Sequence, residues 1–300
     1  MPTPQTGIFT EGSSHHYYLE YTLTANTTAD QIRKALMVVV SGKSSVAAGV
    51  NMVIGFGPGL WAQLSPEETL NDFMDFEAIE GLADYRIPAT QRDLFFWLHG
   101  SNLDDTFDRA LEVQSVLKPL AELALDERGF TYHDSRDLTG FIDGSANPKD
   151  DDARLAALVP GGEVGAGGAF VLSQKWVHDL EAFHALPDCE QEAIIGRTKP
   201  DSIELEGDAM PPDSHVSRTD VTEDGVAMKI YRRSAPFGSV SEKGLYFLSF
   251  SCAVHRFDVQ LRRMFGVSGD GLHDRIVEFS KPVTSSYWFA PSKESLAAIF

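Results

Sequence analysis

Apolar and polar residues alternate early in the chain. In HYYLEYTLT (His16–Thr24), Tyr17, Leu19, Tyr21 and Leu23 share one side of an extended chain, which is the period of a strand. Thr28 then stands as a cap before ADQIRKALMVVV, where Ile32, Leu36, Val39 and Val40 recur at helical spacing. GVNMVIGFG is a short apolar run closed by glycines and predicts a second strand. After a polar, less periodic stretch, DLFFWLHG (Asp93–Gly100) predicts a third. Leu103–Gly129 predicts one long helix, kinked at Pro119 and stopped by Gly129. FTYHDSRD then predicts a fourth strand. The order is βαββαβ, a ferredoxin-like arrangement.

The second half repeats that order without sequence identity to the first. GGAFVLSQKWV predicts a strand, DCEQEAIIG a helix, and MKIYRRS and GLYFLSFSC two strands joined by a hairpin-like APFGSVSEK. RFDVQLRRMFG predicts a helix with Phe257, Leu261, Met264 and Phe265 on its apolar side, and SSYWFAP a closing strand. The expected fold is α+β: two ferredoxin-like domains, 1–138 and 139–300, with antiparallel sheets packed together. A polar segment from Lys199 to Asp224 interrupts the second unit, and loops of that length in compact domains are often functional.

Composition narrows the partners. The chain has 300 residues, 43% of them hydrophobic, as in soluble globular proteins. A net charge of −19 opposes nonspecific binding to nucleic acid or an anionic membrane, since both require basic surface. No export signal opens the chain, and no stretch has the length and apolarity of a membrane span. Cys189 and Cys252 lie in no CxxC, so neither a zinc site nor a disulfide framework is expected, and a cytoplasmic location is. His15 and His16 read as part of a solvated terminus.

Candidate chemistry sits in three places. DLTGFIDGSANP (Asp137–Pro148) is rich in turn formers and holds Asp143 either for the turn or for chemistry. His215 lies within the polar segment, in PPDSHVSRTD. In KIYRRSAPFG, Arg232 and Ser234 share one side of an extended chain and Arg233 takes the other. A histidine ligand, an acid and an arginine are the parts that cleave a peroxide O–O bond on haem iron. Spacing alone does not assemble them.

Together, GFIDG, IIGRTKPD, DSHVSRTD, IYRRSAPFG and KPVTSSYWFAP resemble the bacterial B class of dye-decolorizing peroxidases, in that family's order and over essentially the whole chain. The resemblance implies a haem b peroxidase with haem in the second domain. It would use hydrogen peroxide to form an oxoferryl intermediate and oxidise dyes, phenols or other small one-electron donors. It implies His215 as axial iron ligand, Asp143 and Arg232 as distal residues, Ser234 beside them, and Arg197 on a haem propionate. Asp274 is the candidate partner of His215, with Glu278 as its rival. Asp143 as proton shuttle implies activity favouring acidic pH. Trp61, Trp97, Trp176, Trp288, Tyr231, Tyr246 and Tyr287 are available to carry a radical outward to bulky donors, and the sequence singles out none of them, since most strand aromatics are core. The rival functions are removal of iron from haem, a haem carrier, and a haem-free dimeric binding module. A homo-oligomer, dimer or larger, is expected. No extension of the kind that loads relatives into encapsulin shells follows SKESLAAIF, so such loading is not expected.

Overall fold

Thr28 starts its helix as the sequence predicts. Its side chain accepts from the Gln31 amide while the Gln31 side chain reaches back to the Thr28 backbone, a reciprocal cap. The structure, a computed structural model, describes residues 2–42 and 49–300. Its first half runs β1 (His15–Leu23), α1 (Ala29–Ser41), β2 (Val50–Phe56), α2 (Pro58–Leu64), a small pair β3 (Ile79–Glu80) and β4 (Arg86–Ile87), β5 (Leu94–Gly100), α3 (Leu103–Leu117) and β6 (Ala121–Phe130). The second runs α4 (Asp150–Ala157), β7 (Ala169–His178), α5 (Leu180–His184), α6 (Asp188–Ile195), α7 (His215–Thr219), a ribbon β8 (Thr222–Glu223) and β9 (Val226–Ala227), and β10 (Tyr231–Arg232). It ends with β11 (Ala235–Gly238), β12 (Lys243–Ser251), α8 (His255–Met264), β13 (Ser280–Pro282), β14 (Ser286–Ala290) and α9 (Lys293–Ala298).

Three predicted elements are corrected. The helix from Leu103 ends at Leu117, before Pro119, which has no N–H to continue the ladder. Residues 121–130 favour helix by composition, yet they form β6, because they pair along their whole length with β1. Consequently FTYHDSRD is not the fourth strand: beyond Phe130 it makes only isolated bridges, Tyr132 to Arg136 and Arg136 to Ile142. Similarly, APFG is itself strand β11, paired with β12, and leaves only Ser239–Glu242 as the turn. Val40 faces solvent, and Ala35 takes its place on the buried side of α1.

Each half forms a four-stranded antiparallel sheet of the same order. The first reads β2-β5-β1-β6 and the second β11-β12-β7-β14. The sheets also join at their edges, β11 to β6 through Phe237 and Gly129, and β14 to β2 through Phe289 and Phe56. The eight strands therefore close into a barrel, which leaves no edge among them unpaired. Closure explains why β1 is buried on both faces where a one-sided strand was expected. Tyr17, Leu19 and Tyr21 pack outward under the helices, while Tyr18 packs inward with Trp97, Tyr246, Phe250 and Trp288. His16 is not in a solvated terminus: it is buried and accepts from the Trp97 indole. Among the described residues no helix is long and apolar enough to cross a membrane.

Candidate active site

Strands β7 and β12 alternate between two environments, and that alternation builds a cleft. Val171 and Val177 of β7 and Tyr246, Leu248 and Phe250 of β12 point into the barrel. Leu172, Gln174, Trp176 and His178, with Leu245 and Phe247, point outward and floor the cleft. Phe257, Leu261 and Met264 of α8 wall one side. Asp143, His215, Arg232 and Arg197 all line this one space, although 89 residues separate the first from the last of them in sequence. The apolar lining carries a few convergent polar groups, the usual composition of a ligand site.

His215 is the first residue of α7. Ser214 caps that helix by accepting from the Ser217 amide. Imidazole Nδ1 lies 2.7 Å from Oδ2 of Asp274, which is fully buried. The carboxylate accepts, so Nδ1 donates and Nε2 keeps its lone pair. Asp274 is itself fixed, its Oδ1 accepting the Ile276 amide at 3.0 Å. The rival Glu278 is engaged elsewhere, with His273 at 3.1 Å. Arg218, one turn along α7 and 1% exposed, anchors the helix to Asp270 at 2.6 Å and to the carbonyls of Arg263 and Leu272. From the other side, Gly196 at the end of α6 (φ +91°) lets the chain approach α7; a Cβ there would sit 2.9 Å from Val216.

Asp143 is presented by a loop that is pinned to the opposing strand. Gly144 turns the chain with φ +75° and donates its amide to Asp143 Oδ1 at 2.7 Å. The Asn147 side chain then brackets the backbone of Arg232, donating to its carbonyl at 2.7 Å and accepting from its amide at 3.0 Å. Loss of water around Asp143 pushes its carboxyl above the usual range; the Arg232 charge opposes this and the Asp137 charge reinforces it. Asp137 is moved the other way. Burial alone would raise it, but the His178 charge and hydrogen bonds from His178, Thr139 and the Leu138 amide hold it below the usual range. His178 stands between Asp137 (3.4 Å) and the Ser280 hydroxyl (2.7 Å). The cleft thus holds two carboxyl groups driven apart in proton affinity, the arrangement that separates an acid or base from a fixed anion.

The other two candidates are less directly placed. Arg197 lines the cleft but is occupied by the Ser202 carbonyl at 2.9 Å and the Glu204 carboxylate. Ser234 is not among the lining residues, and its hydroxyl accepts the Leu248 amide at 3.3 Å. Arg233 turns away from the cleft, as the strand period predicts, to the Ile8 and Thr10 carbonyls and the face of Trp97.

Comparison with known proteins decides the family. Residues 134–295 match the family profile described as Dyp-type peroxidase, C-terminal. The dye-decolorizing peroxidase of Mycolicibacterium paratuberculosis is 34% identical over 252 residues, 82% of this chain and 71% of that one. The chain belongs to the dye-decolorizing peroxidase family. Solved structures of the family superpose closely. A DypB variant from Rhodococcus jostii, in complex with heme, gives a TM-score of 0.91 at 31% identity over 99% of each chain. The dye-decolorizing protein from V. cholerae gives 0.88 at 34% identity, over 98% of this chain and 99% of that one.

For this dye-decolorizing peroxidase, several supporting residues gave little sign of themselves in the sequence. Arg218 sits three residues after His215, as one more basic residue in a polar segment; only its burial reveals the anchor. Asn147 reads in the sequence as one more turn former, yet its side-chain amide ties two distant segments. The Asp137–His178–Ser280 chain joins three elements with no shared motif. His178 did carry one signal: it shares the β7 face of Leu172, Gln174 and Trp176 at the strand period.

Proposed function

We propose that this chain is a haem b peroxidase in which His215 is the axial ligand to iron and Asp143 and Arg232 act on hydrogen peroxide. The observation that carries the reading is the His215–Asp274 pair at 2.7 Å, which leaves imidazole Nε2 free in an apolar-lined cleft. Among the described residues no group of three or more His, Cys, Asp or Glu could hold a metal ion. A single imidazole therefore suits a metal that brings its other ligands with it, as haem iron does. When bound, haem supplies the iron that takes two oxidising equivalents from peroxide and returns them singly to electron donors.

The protein's own part is positioning and proton handling. Asp274 fixes the tautomer and orientation of His215 and increases its basicity as a ligand. Asp143, with a raised proton affinity, can take the proton from one peroxide oxygen and deliver it to the other. Arg232 forms no ion pair among the described residues, so its charge is available to the leaving oxygen. Arg197 would meet a haem carboxylate by exchanging its contact with Glu204, a task for which the guanidinium fork is suited. The motif assigns Ser234 to the distal set; its hydrogen bond to Leu248 suggests that it steadies the strand bearing Arg232.

We take 139–300 as the haem-binding unit and 1–138 as its companion. In support, all lining residues but Asp137 come from the second unit. The substrates are peroxide and small one-electron donors. We retain a homo-oligomeric, cytoplasmic protein as the expectation, and the two unpaired cysteines accord with a reducing compartment. A carrier would have no use for a half-buried acid of raised proton affinity under the charge of Arg232. Haem titration of the wild type and His215→Ala tests the reading: the variant should bind haem at least tenfold more weakly and lose the spectrum of a histidine ligand. Equal affinity and identical spectra would overturn the ligand assignment. Release of free protoporphyrin from bound haem would favour iron removal instead.

A further inference from the structure

The cleft holds a second carboxyl group for which the proposed mechanism has no direct use. Asp137 and Asp143 belong to one short antiparallel ribbon. The Asp137 amide donates to the Phe141 carbonyl at 2.8 Å, the Asp143 amide donates to the Ser135 carbonyl at 3.0 Å, and Arg136 bridges to Ile142 between them. Asp137 therefore stands opposite Phe141, with Asp143 as its diagonal neighbour on the same face, and both carboxyl groups line the cleft. Two carboxyl groups so placed repel each other when both are ionised. A neutral residue at position 137 would spare that repulsion, so the pairing calls for an explanation.

Asp137 is held as the anion by donors from three directions. It accepts from the Thr139 hydroxyl at 2.9 Å and from the Leu138 amide, and its Oδ1 faces His178 Nε2 at 3.4 Å. The side chains of His178 and Asp137 are only 6% and 15% exposed. Across the ring, His178 Nδ1 meets the Ser280 hydroxyl at 2.7 Å. A hydroxyl can donate or accept, so Ser280 satisfies Nδ1 whether or not that nitrogen carries a proton, and Nε2 donates to Asp137 in both states. His178 ends β7 and Ser280 opens β13 directly opposite it, so the strand register fixes ring and hydroxyl against each other.

We propose that His178 is a positioning residue for the peroxide step, acting through Asp137 on the proton that Asp143 takes and returns. The proposal rests on the peroxidase reading, which gives Asp143 that task. The coupling has two links. The His178 charge keeps Asp137 ionised against burial, and the Asp137 charge raises the proton affinity of Asp143. Asp143 is thereby a stronger base than its other neighbours would leave it, since Arg232 from β10, the Gly144 amide and His215 from α7 all pull the other way. A base whose proton affinity lies near the working pH transfers a proton faster than one that is too weak. The other charged side chains of the lining are paired: Arg197 with Glu204, and Lys229 with Asp220. His184 of α5 reaches this corner through the Thr139 carbonyl, at 3.3 Å.

Stopped-flow pH profiles of the reaction with hydrogen peroxide test this on haem-loaded wild type, His178→Gln, Asp137→Asn and the double variant. Glutamine keeps a donor for Asp137 but brings no charge. As pH falls, Asp137 in His178→Gln takes up a proton sooner and stops repelling Asp143. The midpoint of the acid limb should therefore move to lower pH by at least about 0.5, roughly a threefold change in rate at a fixed pH on that limb. Asp137→Asn should move it the same way, and adding His178→Gln to Asp137→Asn should move it no further. Ser280→Ala, which frees the far side of the ring, should give a smaller shift of the same sign, and it keeps the test open if His178→Gln fails to fold. A His178 that serves the fold alone would lower the melting temperature and leave the midpoint in place. An unmoved midpoint in His178→Gln and Ser280→Ala, or an equal shift with and without Asp137, would overturn the proposal and leave the peroxidase reading standing. A wild type that does not react with peroxide would overturn both.

Discussion

Asp274→Asn removes the charged acceptor behind His215. The asparagine side chain keeps the size of the aspartate and can still cap the turn at Ile276 through its one oxygen, which puts its NH2, a donor, where the carboxylate accepted from imidazole Nδ1. What is lost is a negatively charged hydrogen-bond acceptor at 2.7 Å, in a place with no solvent to compensate. Hydrogen bonds to charged groups contribute about 1.5–3 kcal/mol. At roughly 1.4 kcal/mol per factor of ten, this corresponds to a loss of about 10- to 100-fold in affinity. That is also the range found when carboxylates behind metal-bound histidines are replaced. Haem titration of the apoprotein, followed at the Soret band, measures the affinity directly, and the iron–histidine stretching frequency should fall as the ligand becomes less basic. Wild-type affinity and an unshifted frequency would show that Asp274 does not act on His215 and would refute the reasoning. Asp274→Ala should cost more in stability, because the cap is lost as well, by about 0.5–2 kcal/mol.

The buried histidines make the fold acid-sensitive. Burial first, and then the nearby Arg233 charge among others, lowers His16 and His99 to about 3, whereas an unfolded chain protonates them near 6.5. Between those values the unfolded state holds more protons, so stability should fall as pH drops below 6.5, by up to about 1.4 kcal/mol per pH unit for each histidine; thermal melts of wild type and His99→Gln across pH 4–7 should differ in slope. Arg218→Met should destabilise by about 1–3 kcal/mol, the cost of leaving the Arg263 and Leu272 carbonyls without their donor, and should weaken haem binding by releasing α7, as denaturant melts and haem titration would show. Asp137→Asn removes the anion that raises the proton affinity of Asp143, so the acid limb of the peroxide step should move to lower pH in stopped-flow profiles.

Much of the fold follows from local periodicity. The alternation in β1, the Thr28 cap and the apolar face of α8 needed no tertiary information to be recognised. The stretch after Pro119 did. ELALDERG carries helix-favouring residues, and only the pairing of β6 with β1 makes it a strand. Barrel closure was equally hidden, because single pairs at Phe237–Gly129 and Phe289–Phe56 join the sheets and leave no pattern of their own. At the site, Asp143, His215 and Arg232 were singled out by motif, but their convergence is a property of the folded chain. Asp274 and Glu278 looked equivalent along the sequence, one helical turn apart; burial and a 2.7 Å contact separate them. The residues that position the site, Arg218, Asn147 and Gly196, belong to no chemistry visible in sequence and emerge only from their contacts.

The most direct test of the central claim is single-turnover stopped flow, mixing one equivalent of hydrogen peroxide with haem-loaded wild type and with the Asp143→Asn, Arg232→Leu double variant. The account predicts that both proteins bind haem with similar affinity and that the double variant reacts at least 100-fold more slowly, the scale set by proton transfer and charge stabilisation. Equal rates in the two proteins would contradict it, since peroxide would then be reacting without help from the residues that the cleft brings together.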